Sequence, residues 1–316
     1  MAAALRPLAE TDVRDPIPAK VLLSALQTPP FVVVPGTFNT RDLGLLLSPG
    51  EEGGQAGGED GAAGRIRPGF VFRTGGLEAL ARSRDGQALL RDTLNVRHIF
   101  DLRSREEHER APDPVVEGVE GVWLGDGVGA EDNPMLDLGL FVEGEGEEGY
   151  AHMYMDVLEK YSGSFREVLT SDERAECWVS FVDQGGVVSS TAGRDRTGVL
   201  AGLLETLAGY DAETVRTDFL LSRIGTEVAR EHLLAFAKKY SMSAGGDDDG
   251  SASFDEVPGF LNLVSLKGAC WDAFAEAVGS KFGGFEGYAT QVLGFSKEDL
   301  AVIKKNLNEA PAKVEL

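Results

Sequence analysis

The sequence predicts an α/β fold in which a central sheet is flanked by helices. Short β-branched or aromatic runs alternate with longer amphipathic stretches along the chain. The length of 316 residues, 42% of them hydrophobic, is enough for one large core. The segment VVSSTAGRDRTG at 187–198 runs from strand through glycine turn into helix, and open α/β sheets bind ligands outside the carboxyl ends of their strands. The expected organisation is an N-terminal segment over 1–29, one domain over 30–308 and a tail over 309–316.

PFVVVPG at 30–36 reads as a strand, β-branched and ending in a Pro-Gly turn. The Gly-, Ala- and Glu-rich stretch over 48–64 has no periodicity and is expected to be a disordered insertion. GFVFRTG at 69–75 is a second strand, LEALARSRDGQALLRDTL at 77–94 an amphipathic helix, and NVRHIFDLRS a strand ending at Asp101. Residues 111–159 carry thirteen Asp and Glu with no Lys or Arg, which reads as a solvated acidic loop or, alternatively, as a flap repelling polyanions. A helix pair follows over 152–169, with Met153, Val157 and Tyr161 on one face. After the glycine turn, a buried helix opens at Asp195 and closes near Gly209. Two polar-capped helices cover 212–223 and 225–240, and a second loop or disordered tract covers 243–253. Helices over 266–284 and 296–307 end the chain, the last capped by Ser296 with Glu298 and Asp299 in its first turn.

The balance of 52 acidic against 30 basic residues, a net charge of −22, opposes nucleic acid and anionic membrane surfaces as general partners. Only Cys177 and Cys270 are present, so no disulfide framework or CxxC pattern exists, and a reducing cytosol is the expected compartment. The opening residues lack a signal-peptide core, and no apolar stretch approaches the ~18 residues of a membrane span. His98, His108, His152 and His232 lack ligand spacing, so neither a metal nor another cofactor is expected.

The chemistry concentrates at Ser190 to Arg196. If Thr191, Ala192, Gly193, Arg194 and Asp195 curl, successive backbone N–H groups converge and the following helix adds its positive end, which suits a dianionic phosphate. Arg196 would fork two donors onto its oxygens. A thiolate at position 190 would be stabilised there, its pKa falling from ~8.5 toward ~3.5 to 7.5, and Thr197 would donate to the sulfur as it leaves phosphorus. The serine hydroxyl actually present gains far less. A Walker-type loop requires a Lys that GRDRTG lacks, and VSSTAG does not match the Gly-x-Ser-x-Gly elbow.

SSTAGRDRTG resembles HCTAGKDRTG, the signature of the tyrosine phosphatase family that includes bacterial and fungal enzymes acting on phosphotyrosine and phosphoinositides. NTRDLG at 39–44, RPGFVFRTGGLEAL at 67–80, IFDLRSREEHERAPDP at 99–114 and GFSKEDLAVIKKNL at 294–307 are similar to that family's NFRDLGG, RPGxLYRSGxLxxL, IDLRSxxExxxxPDP and LGLSxEEIxxLRxxL. The match runs in order from about residue 30 to 308. It implies a cysteine-phosphatase-like central sheet with a helical lid and C-terminal helices, and it puts Arg196 in the phosphate clamp. Arg194 stands where the family has Lys. Asp195 and Asp101 become candidates for the general acid that protonates the leaving oxygen. Asp101 is equally readable as a carboxylate that orients the loop or Arg103.

The departures are Ser189 for His and Ser190 for Cys, which remove the nucleophile and a residue that tunes it. The implied function is a phosphomonoester hydrolase, inactive or very weak as written. The alternative is a pseudophosphatase that binds a phosphorylated protein, lipid or small molecule, or that serves only as an interaction module. A Cys→Ser substrate trap would change position 190 alone, and both positions differ. The acidic 111–159 segment, if it overhangs the pocket, is expected to disfavour highly charged phosphoinositides relative to phosphotyrosine.

Overall fold

The structure is a computed structural model and describes residues 2–46, 65–125, 136–170, 185–245 and 257–309. The expected insertion at 48–64, residues 246–253 of the second loop and the tail from 310 lie outside the described residues.

Five strands form one sheet: β1 (Phe38–Asp42), β2 (Val71–Gly75), β3 (Val96–Asp101), β4 (Glu120–Trp123) and β5 (Gly185–Ser190), in the order β1-β2-β5-β3-β4. β1 runs antiparallel to β2, and the other three pairings are parallel. β5 is therefore central, and all six of its residues are buried, as a strand covered on both faces requires. Its register sets Thr74 and Asp101 on either side of Ser189, and Gly75 beside Ser190.

The first strand lies later than the sequence suggests. Residues 30–36 make only one isolated bridge, Phe31 to Arg41, because Pro30 and Pro35 offer no N–H to a ladder; FNTRD pairs instead. The predicted 77–94 helix is broken into a 3-10 turn (Glu78–Arg82), α3 (Arg84–Ala88) and a π-type turn (Leu89–Thr93). Ser83 interrupts it by accepting the Gly86 N–H at 3.2 Å, and a Cβ on Gly86 would meet the Pro35 carbonyl oxygen. The acidic stretch is not simply a loop. It holds β4, a 3-10 turn (Leu138–Phe141) and the first turns of α5 (Glu147–Lys160), where Glu147 and Glu148 face the positive helix end. Residues 126–135 of this stretch are outside the described residues.

α1 (Ala2–Ala9) and α2 (Ala19–Leu26) precede the sheet, and α4 (Arg105–Arg110) follows β3. α6 (Ser162–Leu169) completes the expected helix pair, with Val157 and Tyr161 buried and Met153 half-buried. α7 (Asp195–Ala208) leaves the end of β5 and crosses the core, with Val199, Leu200, Leu203, Leu204 and Leu207 all excluded from solvent. Gly209 ends it in a left-handed conformation at φ 103°, the usual glycine stop. α8 (Ala212–Gly225), α9 (Arg230–Gly245), α10 (Phe260–Val264), α11 (Gly268–Phe282), α12 (Phe285–Gln291) and α13 (Lys297–Asn308) surround it. Asp211 caps α8 by accepting the Thr214 N–H, and Ser296 and Asp299 form a capping box on α13. Tyr154, Trp271 and Phe274 pack edge to face where α5 meets α11, with Tyr154 and Phe274 ring centres 5.3 Å apart.

Beneath the loop that follows β5 lies a buried ion cluster. Arg41 from β1 donates Nε to Asp218 Oδ1 at 2.6 Å and Nη2 to Ser222 Oγ at 2.9 Å, and Arg73 from β2 donates Nη1 to the other Asp218 oxygen. Burial alone would raise Asp218, but the two guanidinium charges and their hydrogen bonds hold it below the ordinary carboxylate value. Burial, then the neighbouring Asp218 charge, pushes the adjacent Glu205 well up and favours its neutral form.

Asp218→Asn leaves two buried cations without their anion, so denaturant unfolding at pH 7 should report a loss of about 3–5 kcal/mol. Because the native carboxyl is depressed, its contribution is complete above the unfolded carboxyl pKa near ~3.9 and fades as pH falls through the lower native value. The gap between parent and variant should therefore narrow in acid. A full gap persisting at pH 2.5 contradicts this account.

Candidate functional site

The loop after β5 is shaped by what touches its carbonyls. Asn39 Nδ2 donates to the Ala192 and Gly193 oxygens at 3.1 and 3.0 Å, and Arg73 Nη2 donates to the Gly193 and Arg194 oxygens at 2.8 and 3.1 Å. With these oxygens drawn back toward the sheet, the N–H groups of Thr191, Ala192, Arg194, Asp195 and Arg196 find no acceptor among the described residues. All five residues line a cleft of about 480 Å³. Gly193 sits at φ 59°, and a Cβ there would lie 2.2 Å from the Thr74 oxygen. Only glycine fits that position. The expected cradle residues are thus brought together at the mouth of β5, with the N-terminus of α7 directed at the same place.

Ser190 closes the strand and is buried; Thr197, also buried, donates its hydroxyl to Ser190 Oγ at 2.8 Å. No histidine, lysine or carboxylate bonds Ser190 among the described residues. Ser189 points to the sheet, donating to the Phe100 carbonyl at 3.3 Å.

Arg196 is held by a residue with no role assigned from the sequence. Glu107 receives Nη1 at 2.6 Å and Nη2 at 2.9 Å, a two-pronged pair, while Nη1 also reaches the Leu102 carbonyl and the Tyr161 hydroxyl. Among the described residues Nε makes no hydrogen bond, and Arg196 lines the cleft. Glu107 also accepts the Thr191 hydroxyl and, at 3.0 Å, the Ser104 N–H, closing the capping box of α4. Burial by itself would raise Glu107, but Arg196 and these donors hold its carboxyl far below the ordinary range. The Glu of the ExxxxPDP string was visible in the sequence; its partner, 89 residues later, was not.

The two acid candidates have different surroundings. Asp195 lines the cleft, with Oδ1 accepting from the Tyr154 hydroxyl at 2.7 Å and from Arg194 Nε at 3.0 Å. Arg194 also donates to the Leu263 and Val264 carbonyls, tying the loop to α10. Asp101 is fully buried and outside the cleft wall; it accepts from the Arg103 N–H and Nε at 2.9 Å and contacts His108 Nδ1 at 2.9 Å. Its position suits the orienting reading. Asp101, His108 and Asp113 bring three potential metal-ligand atoms within 4.8 Å, but Arg103 bonds both carboxylates. Burial, then Asp101, pushes Asp113 up to about 7.

Above the loop the cleft is largely apolar. Met153, Val157 and Leu136 form one part, Leu233, Leu234 and Phe236 of α9 another, and Leu263 and Val264 a third. The 111–159 segment therefore contributes apolar side chains, and none of its described carboxylates lines the cleft.

A mostly parallel sheet flanked by helices, with a glycine-pinned loop between its central strand and a buried helix, defines a protein of phosphatase-like build. The chain belongs to the tyrosine phosphatase family, whose model matches residues 32–309. No curated protein matches the sequence. Family membership suggests phosphatase-type function.

Glu107→Gln should keep the shape while removing the charge that neutralises Arg196, lowering stability by about 2–4 kcal/mol at pH 7. The depressed carboxyl contributes fully above its unfolded value near ~4.3 and loses that contribution progressively as pH falls toward the much lower native one, so the stability gap between the two proteins should start to narrow below about pH 4 and keep narrowing as the pH falls. Equal stability at pH 7 rules the pairing unimportant.

Proposed function

We propose that the chain is a phosphomonoester-recognition protein of the tyrosine phosphatase family, with its phosphate seat at residues 190–196 and hydrolysis impaired at Ser190. The observation that carries the reading is the loop whose carbonyls are pulled back by Asn39 and Arg73 while, among the described residues, the N–H groups of five cleft-lining residues and Nε of Arg196 have no acceptor. A dianion there meets donors that need no reorganisation.

Hydrolysis in this seat requires a nucleophile on phosphorus and a proton for the leaving oxygen. Asp195, at the cleft wall, is the better placed of the two acids. Tyr154 and Arg194 orient it, and its transfer of a proton requires that it carry one when the ester is bound. A thiolate at position 190 would attack with the electron pair stabilised by the loop and by Thr197. The serine hydroxyl keeps its proton, for among the described residues its one side-chain partner is the Thr197 hydroxyl, which donates to it. Phosphorylated proteins, lipids and small molecules all present the required dianion.

Titration with inorganic phosphate or vanadate should raise the melting temperature, and Arg196→Ala should abolish the rise; an unchanged rise in that variant, or none in the parent, sinks the proposal. The parent should turn over p-nitrophenyl phosphate barely above background. Ser190→Cys should raise turnover by at least ~100-fold through a phosphocysteine, since the thiolate fraction at pH 5 to 7 replaces an un-ionised hydroxyl. Ser189→His added to it should raise turnover further. If Ser190→Cys binds vanadate and stays inert, the defect extends beyond the nucleophile and a binding-only protein is the better reading.

A further inference from the structure

Val13 lines the cleft beside the phosphate loop, although it lies nineteen positions ahead of the first residue that the family model matches. We infer that residues 11–17 are a strap that fixes α9 at the cleft and, through Val13, completes an apolar wall which selects the body of the phosphomonoester; this rests on the phosphate seat proposed above.

The strap is held by backbone carbonyls and a buried cation. Arg223 of α8, 4% exposed, donates Nε to the Thr11 carbonyl at 3.1 Å and Nη2 to the Asp12 and Asp15 carbonyls at 3.2 and 2.9 Å. A lysine could not reach three carbonyls in one plane. Glu227 pairs with Arg223 and accepts the Ile17 N–H at 2.9 Å. Arg230, the first residue of α9, donates Nη1 to the Val13 carbonyl at 3.2 Å and lies 3.5 Å from Glu227. One end of α9 is thereby tied to the strap.

The side chain of Val13 does the rest. It is 7% exposed and packs in a small apolar cluster with Phe260 and Val264, against which Leu234 and Ala237 of α9 also rest. Val13, Leu234, Ala237 and Val264 all belong to the cleft wall. The strap therefore joins α9 to α10 with the same side chain that faces the ligand space. A phosphate seated on the loop leaves the rest of its ester among these walls. An aromatic or alkyl body loses water-exposed apolar surface there, while a hydroxylated one gives up hydrogen bonds to water against Val13, Leu234, Ala237 and Val264, whose side chains offer none in return, and is left with lining groups such as Glu106, Arg110, Thr226 and Arg230 as polar partners.

The full chain, which does not need to turn over, allows equilibrium measurement by calorimetry with inorganic phosphate, 2-naphthyl phosphate and glucose 6-phosphate. The parent should bind the naphthyl ester at least about tenfold more tightly than inorganic phosphate, and glucose 6-phosphate no more tightly. Arg223→Gln, which frees the strap without touching the loop, should reduce the naphthyl advantage about fivefold or more while inorganic phosphate stays within about twofold. Val13→Thr, close in volume, should reduce the same ratio, and serves if Arg223→Gln does not fold. A naphthyl advantage that survives in the folded variants, or glucose 6-phosphate bound as tightly as the naphthyl ester, overturns the strap as a selector while leaving the phosphate seat standing. Failure of the parent to bind inorganic phosphate overturns the seat and the strap together.

Discussion

The buried carboxylate of Asp218 is the interaction on which the rest depends. It pairs with both Arg41 and Arg73, brought together by an antiparallel strand pair and by α8, and offsets one of their two charges. Each guanidinium then has donors to spare. Arg41 gives one to Asn39 Oδ1 at 2.6 Å, which turns the Asn39 amide toward the loop, and Arg73 reaches the loop carbonyls directly. Burial, and then the nearby Arg73 charge, pull Arg41 down to about 10. With Glu205 largely neutral, positive charge is left over beneath the loop carbonyls. An anion seated on the opposite face of the loop would feel that charge through little intervening water.

The second constraint runs across the sheet from the other side. β3 ends at Asp101, Arg103 binds that carboxylate and the Asp113 that follows α4, and the capping box starts α4 at Ser104. That helix is only six residues long, yet it presents Glu107 at the angle which meets Arg196 and Thr191. A short helix of charged residues has little reason to form alone. It forms because its cap, its anchoring arginine and its ligated carboxylate all agree.

Much of this was legible in the residues. The order strand, glycine turn, helix gave the loop, and the run of apolar residues after Asp195 gave a buried helix, since both signals are local. The first strand was misread because β-branched content at 30–36 outweighed prolines that deny it a ladder, and β4 was hidden in polar sequence whose strand character comes from pairing with β3. The acidic stretch was read by its charge up to residue 151, and only its last residues by their helical spacing. Its first turns of α5 use that charge at a helix start, and what it gives to the cleft is Met153, Val157 and Leu136. Pairings such as Glu107 with Arg196, or Arg41 with Asp218, link positions far apart in sequence and leave no periodic trace.

Gly75 and Gly193 touch each other's strand and loop so closely that a Cβ on the first would stand 2.5 Å from the Ala192 oxygen. The two faces of the loop thus differ in what heritable change they can absorb. On the sheet side nearly every alternative residue is forbidden by steric overlap or by an orphaned buried charge, so variation there is purged with the fold itself. On the cleft side, Ser190, Thr191 and Ala192 carry side chains whose replacement leaves those supports standing. Sequence drift in a lineage holding this architecture should therefore collect first at the positions that do chemistry, and the shape of the seat should outlive the reaction.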